Sequence, residues 1–154
     1  MLARITLMLS GLLFAAALLL STNRAHAEDN TLESGDYVVY YNALPSTQLT
    51  PDVARNYGIT RSASRALLNV SVHRRNDDKT TSAVNALVKA AATNTIGQRQ
   101  ELRPRRVQDG EAIYYLAEAR ITARDTLLFE LSITPDGATQ PLHAQFQQEF
   151  FPEE

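Results

Sequence analysis

The chain has 154 residues, 15 basic and 17 acidic, and contains neither cysteine nor tryptophan. Without cysteine there are no disulfides, no thiolate catalysis and no cysteine-ligated metal, so packing alone must hold the fold. The slight negative balance argues against nucleic acid or an anionic membrane surface as a partner.

Met1-Leu2-Ala3-Arg4 carries one positive charge, and Ile5 to Leu20 is an apolar run broken only by Thr6, Ser10 and Gly11. Ala25-His26-Ala27 then offers a small-x-small cleavage site before Glu28. This order predicts a secretory signal peptide over residues 1–27, cleaved on export. The run is short of the about 20 residues that span a bilayer. No cysteine follows it to carry a lipid anchor, and no Arg-Arg pair precedes it. The expectation is a periplasmic protein with no membrane span after cleavage. The remaining 127 of 154 residues suit one domain, with a flexible lead-in at 28–34 and a folded unit at 35–152. Such a length can bury roughly two-thirds of its unfolded surface.

Along the mature chain, Tyr37, Val39 and Tyr41 alternate with their neighbours in strand fashion. Thr50, Pro51 and Asp52 then form an N-cap, a proline in the first turn and an acid beside it, with Gly58 as a stop. They predict a helix of barely two turns between the first two strands, a plug across one end of the fold. Ala66, Leu68, Val70 and Val72 alternate next, followed by the polar loop Asn76-Asp77-Asp78-Lys79. Ser82 to Ala92 is ambiguous, helical by its Ala, Leu and Lys content yet alternating at Val84, Ala86, Val88, Ala90 and Ala92. Gln98 to Val107 reads as an irregular edge strand with a bulge. Period-two patterns return in Ile113–Ile121, Leu127–Ile133 and Leu142–Phe150, with the turn signal Asp109-Gly110 before the first and Asp136-Gly137 between the last two. About seven strands with one short helix predict an all-β, antiparallel β-sandwich.

Several stretches carry a resemblance. Tyr40-Tyr41-Asn42, Leu49 to Ala54, Tyr57-Gly58-Ile59, Arg61-Ser62, Asn69 to Val72, Ala112 to Tyr115 and Phe146 to Phe150 resemble the bacterial domain-of-unknown-function family 4426. Leu44-Pro45 departs from that pattern. The resemblance covers essentially the whole mature chain. It implies an exported, immunoglobulin-like β fold and favours strand for Ser82 to Ala92. It implies no activity.

The vocabulary of catalysis is thin. The only mature histidines, His73 and His143, fall on the polar parity of their strands and read as solvated, so no metal site or other cofactor is expected. Asp77-Asp78 lacks the spacing of a calcium loop. There is no G-x-S-x-G elbow, no S-x-x-K and no glycine-rich phosphate loop. Glu111 and Glu118 lie seven apart, on opposite faces of an unbulged strand. Arg99, Arg103, Arg105 and Arg106 make one basic cluster, either a patch for an anionic ligand or charges that guard an edge strand. Tyr40 and Tyr114 sit on the parity opposite the core, as recognition tyrosines or as shields of the sheet.

The expected function is a non-catalytic periplasmic module that binds a protein partner or a small ligand. Candidate binding residues are Asn42, Ser46, Tyr57, Arg61 and Ser62, in which Arg61 supplies charge, Tyr57 a stacking face and the others hydrogen bonds. Their structural alternative is a sewn corner, with Arg61 paired to an acid and Ser62 satisfying backbone groups. A hydrolase whose base comes from a distant strand is a second reading, and it predicts that a polar group such as His143 or Asp52 converges on Ser46 or Ser62 in one pocket. A third is an assembly protein that offers a strand edge near Arg103 and Arg105.

Overall fold

The computed structural model describes residues 30–151; the segment read as a signal peptide lies outside them. The described chain is an antiparallel β-sandwich. One sheet runs β1 (Thr31–Ser34), β2 (Tyr37–Pro45), β3 (Arg65–Arg75), β8 (Ala112–Arg120) and β7 (Arg105–Asp109), with β4 (Thr81–Ala83) paired to the far end of β3. The other runs β10 (Leu142–Phe150), β9 (Asp125–Pro135), β5 (Ala86–Asn94) and β6 (Arg99–Leu102). The antiparallel sandwich holds as predicted, with ten strands in place of seven.

Each added strand has a physical reason. Thr31–Ser34, expected within a flexible lead-in, pairs with Tyr37–Tyr40 across a turn in which Gly35 takes φ 57°. Its only large apolar residue is Leu32, so backbone pairing rather than alternation makes it a strand. The ambiguous stretch is β4 and β5, because β5 lies between β9 and β6 and its alternation outweighs helix propensity. Its alanines pair with bulk on β9, as where Ala92 lies opposite Phe129. Gln98 to Val107 holds no bulge within one strand. Leu102 ends β6 in one sheet and Arg105 begins β7 in the other, so the chain changes sheets at Arg103-Pro104. Proline has no N–H for a ladder, and the residue before it is held extended.

The core follows the alternation. Along β9, buried and half-buried residues alternate without exception from Asp125 to Pro135. Phe129 stacks on Phe146 with ring centroids 4.8 Å apart and meets Phe150 edge-on at 6.4 Å. Tyr41 reaches Phe146 from the other sheet at 5.1 Å. Val39, Leu68, Val70 and Val72 complete that layer, and all four are buried.

A second, smaller cluster lies on the outer face of the first sheet. Leu67 and Leu116 have the parity opposite the core, yet both are buried, beneath Ala54 of α1 (Pro51–Tyr57) and Ile59. The helix therefore covers a sheet face; it is not the end plug expected from sequence. Its caps match the sequence reading. Thr50 Oγ1 accepts the Val53 N–H at 3.3 Å, and Gly58 sits at φ 63°, ψ 38°. The Gly58 N–H donates to Arg55 O and the Ile59 N–H to Ala54 O, at 3.2 and 2.8 Å, closing the helix while Ile59 turns into the cluster.

Phe129 is fully buried and makes two aromatic contacts. Phe129→Ala is therefore expected to lower the unfolding free energy by about 3–5 kcal/mol. Urea denaturation followed by circular dichroism measures this; a loss below about 1 kcal/mol would contradict the assigned core.

Candidate functional site

The corner between β2 and β3 is stitched from within. Ser46, in the 3-10 turn Ser46–Gln48, is completely buried. Its Oγ donates to Ser62 O at 3.0 Å and accepts the Ser62 N–H at 2.9 Å. Ser62 Oγ is shared with Ser64 Oγ at 2.9 Å and accepts the Ser64 N–H at 3.2 Å. Arg61 donates to Thr47 O at 3.0 Å, a backbone carbonyl in place of the acid anticipated. The Thr60 N–H reaches Glu118 Oε1 at 3.2 Å, and the Ile121 N–H donates to Ser64 O at 3.0 Å, so the corner is also bonded to β8 and the residue after it.

The five candidate residues thus divide. Ser46, Arg61 and Ser62 come together to close the corner. Tyr57 lies apart and donates its hydroxyl to Asp109 Oδ2 at 2.8 Å, a bond that, with burial, raises its pKa above the ordinary 10.0. Asn42 is exposed and pairs in register with Asn69. Tyr57, Leu44, Leu49, Asn69 and Tyr114 line a mostly apolar hollow of about 300 Å³ beside α1. The Oδ1 of Asn69 is inaccessible and has no hydrogen-bond partner among the described residues. Asp52 is engaged by Arg55 on the helix, and His143 lies on β10 in the opposite sheet. Neither hydrogen-bonds to Ser46 or Ser62 among the described residues.

The four arginines of the basic cluster are dispersed by the change of sheets. Arg99 is held by Glu101 at 2.9 Å and by Glu130. Arg106 donates to Asn85 Oδ1 at 2.7 Å and Gln108 Oε1 at 2.8 Å. Arg105 donates to Tyr57 O at the end of α1. Arg103 and Arg105 line a cleft of about 430 Å³ together with Arg65 from β3 and Arg120 from β8. Sequence spacing did not single out Arg65 and Arg120, because they lie far from the cluster along the chain. Their position at the paired ends of β3 and β8 is the relevant signal, since Arg65 and Arg120 are directly in register.

The charge of this cleft can be traced group by group. Four arginines face two glutamates, Glu101 and Glu118. Glu101 is taken by Arg99, while Glu118 lies 3.5 Å from Arg65 and accepts from Thr60. Among the described residues, the guanidinium groups of Arg103 and Arg120 have neither hydrogen bond nor ion pair. The Gln100 side chain holds the wall in place. Its Nε2 donates to Arg120 O and its Oε1 accepts the Arg120 N–H, both at 2.8 Å, which bonds β6 to the end of β8 across the seam. A second cleft, of about 450 Å³, adjoins at the same Gln100 and Arg120.

His73 is not the solvated side chain expected. It is half-buried, its ring meets Tyr40 edge-on at 5.4 Å, and its Nδ1 is inaccessible and without a partner among the described residues. Burial holds its pKa below the ordinary 6.5. Tyr40 is 44% exposed, while Tyr114 is half-buried against the second cluster. Among the described residues no three His, Asp or Glu side chains gather as a metal-ligand set, and His73 and His143 belong to different sheets.

A two-sheet antiparallel sandwich with hollows on its outer surface and no gathered ligand set defines the class of protein. The chain belongs to the family described as Domain of unknown function (DUF4426), whose model matches residues 31–153. It is similar to a DUF4426 family protein from Pseudomonas aeruginosa PAO1, known from a crystal structure. The two share 32% identity over 80% of this chain and 95% of that one, with a TM-score of 0.68. FetP from uropathogenic Escherichia coli strain F11, recombinantly expressed in the periplasm, shares the fold at 11% identity. It covers 80% of this chain and 94% of that one, with a TM-score of 0.58. A copper-bound variant of FetP matches at 12% identity, 80% and 95% coverage and a TM-score of 0.58. At such identity these two show the fold alone. Comparison with curated proteins finds no match.

Two predictions follow from the stitched corner and the half-buried histidine. Ser46→Ala removes a completely buried hydroxyl that bonds both the N–H and the C=O of Ser62 and is expected to cost about 1–3 kcal/mol in urea denaturation, whereas Ser64→Ala, at an exposed site, changes stability by less than about 0.5 kcal/mol. Equal effects would refute a special role for Ser46. For His73, the lowered folded pKa means that the unfolded state takes up protons first as pH falls. Stability present above pH 6.5 is then lost on acidification from 6.5 down through the folded pKa. His73→Phe should remove that decline between neutral pH and the carboxylate range, where Asp78, its pKa held down by Thr80, begins to contribute. An unchanged pH profile in the variant would count against this assignment.

Proposed function

We propose that this protein is an exported periplasmic module that binds a small ligand or a protein partner without catalysing a reaction on it. One observation carries the reading: the guanidinium groups of Arg103 and Arg120, unpaired among the described residues, line a formed cleft in which each acid is already engaged. A volume of about 430 Å³ lies within the usual range of small-molecule sites. Periplasmic location rests on the charged, apolar and small-x-small order of residues 1–27. No helix among the described residues is long and apolar enough to cross a membrane.

The binding reading is preferred to the hydrolase because Ser46 is buried and spends its hydroxyl on Ser62, and among the described residues no acid or histidine hydrogen-bonds to either serine. The strand-edge alternative places a partner on β6 or β7, which offer ladders of only four and five residues. Copper, which a FetP variant binds, does not enter the proposal, which rests on the arginine-lined cleft.

The test is to express the full chain with its own leader in a bacterial host and recover it from the periplasm under mild conditions. Native mass spectrometry and co-purification should show a bound species or partner on protein that begins at Glu28. Arg103→Glu with Arg120→Glu should abolish it. An identical set of bound species on this double variant would rule out the cleft as the binding site.

A further inference from the structure

We infer, resting on the cleft as the binding site, that its ligand is an organic oxyanion: a carboxylate or phosphate group carried on an apolar body. The polar half of the argument is the arginine geometry. Arg103 precedes Pro104 at the change of sheets, where its backbone is held extended, and Arg120 has its backbone N–H and C=O clamped by Gln100. Both guanidinium groups therefore project from fixed backbone and retain all their donors. Arg105 is anchored on Tyr57 O and Arg65 on Glu118, so these two supply positive field more than free donors. A planar fork of N–H groups fits the oxygens of a carboxylate or phosphate better than a halide or a neutral dipole.

The apolar half is the remaining lining. Ile59, Leu67, Leu102 and Leu116, each between 4% and 8% exposed, present that remaining surface to the same cleft. An inorganic anion would leave that lining in contact with water. A ligand with a hydrocarbon or aromatic portion covers it and gains the burial of apolar surface in addition to the ion pair. Among the described residues the cleft has no free acid to neutralise the excess charge, because Glu101 and Glu118 are both occupied. The arrangement thus calls for an anionic head near Arg103 and Arg120 and an apolar body against the leucines.

Four probes test this by calorimetric titration of the mature protein: 4-phenylbutyrate, phenyl phosphate, the neutral 4-phenylbutyramide and inorganic phosphate. At least one of the two organic anions should bind about tenfold or more tighter than either the amide or inorganic phosphate, and more weakly at high salt. Arg103→Gln with Arg120→Gln should weaken that binding about tenfold or more. Arg74→Gln, at an exposed arginine of β3 outside the cleft, should leave it unchanged. Because Arg103 and Arg120 are exposed and unpaired, the double variant should keep the melting curve of the parent, which separates lost binding from lost folding. The oxyanion assignment is overturned if the amide binds as tightly as the anions, if the double variant retains the affinity, or if no probe binds. Should the probes fail while periplasmic capture still depends on Arg103 and Arg120, only the ligand class falls. Should that capture survive the double variant, the cleft itself falls with it.

Discussion

Pro104 has no N–H to donate, so a ladder is interrupted where the chain passes Arg103-Pro104. The remainder of the molecule is arranged around that interruption. Before it, β6 pairs with β5; after it, β7 pairs with β8 in the opposite sheet. One continuous segment thereby joins the two layers, and the seam between them must be closed by other means. The Gln100 amide does so by bonding to both backbone groups of Arg120. What the seam does not fill remains as clefts on either side of that bond.

The corner between β2 and β3 solves a different problem. Leu67 and Leu116 would otherwise expose apolar surface on the outside of the sheet. A seven-residue helix is too short to persist alone, so it needs that surface as much as the surface needs cover. Caps at Thr50 and Gly58 set its ends, and the Ser46–Ser62 pair fixes the entry and exit of the loop that carries it. The helix in turn places the Tyr57 carbonyl where Arg105 can bond to it. Corner and cleft are therefore mechanically linked through one arginine.

Likeness of fold carries no chemistry by itself. FetP and this chain share an architecture at 11% identity, yet function depends on which side chains the strands bring to one place. Here the strands gather arginines over leucines, and the two histidines among the described residues, His73 and His143, are divided between the sheets. The proposed oxyanion site rests on that gathering.

Much of this was legible in the residues themselves. Alternation along Leu127–Ile133 and Leu142–Phe150 marks strands with one buried face, because side chains of a strand point to opposite sides in turn. Thr50-Pro51-Asp52 and Gly58 mark the helix ends, since caps are local chemistry. Leu67 and Leu116 also break the polar parity of their strands, a signal that something covers the outer face. β1 was not legible, because a short edge strand is stabilised by pairing with β2 and needs no pattern of its own. Nor was the cleft. Arg65, Arg103 and Arg120 are distant along the chain and meet only when β3, β8 and the β6–β7 passage are packed. Sequence alone determined the strands with clear alternation, the caps and the absence of thiol chemistry, for these depend on composition and on neighbours a few residues away. The tertiary structure decided which arginines are already engaged and which are not, because that depends on partners supplied by other strands.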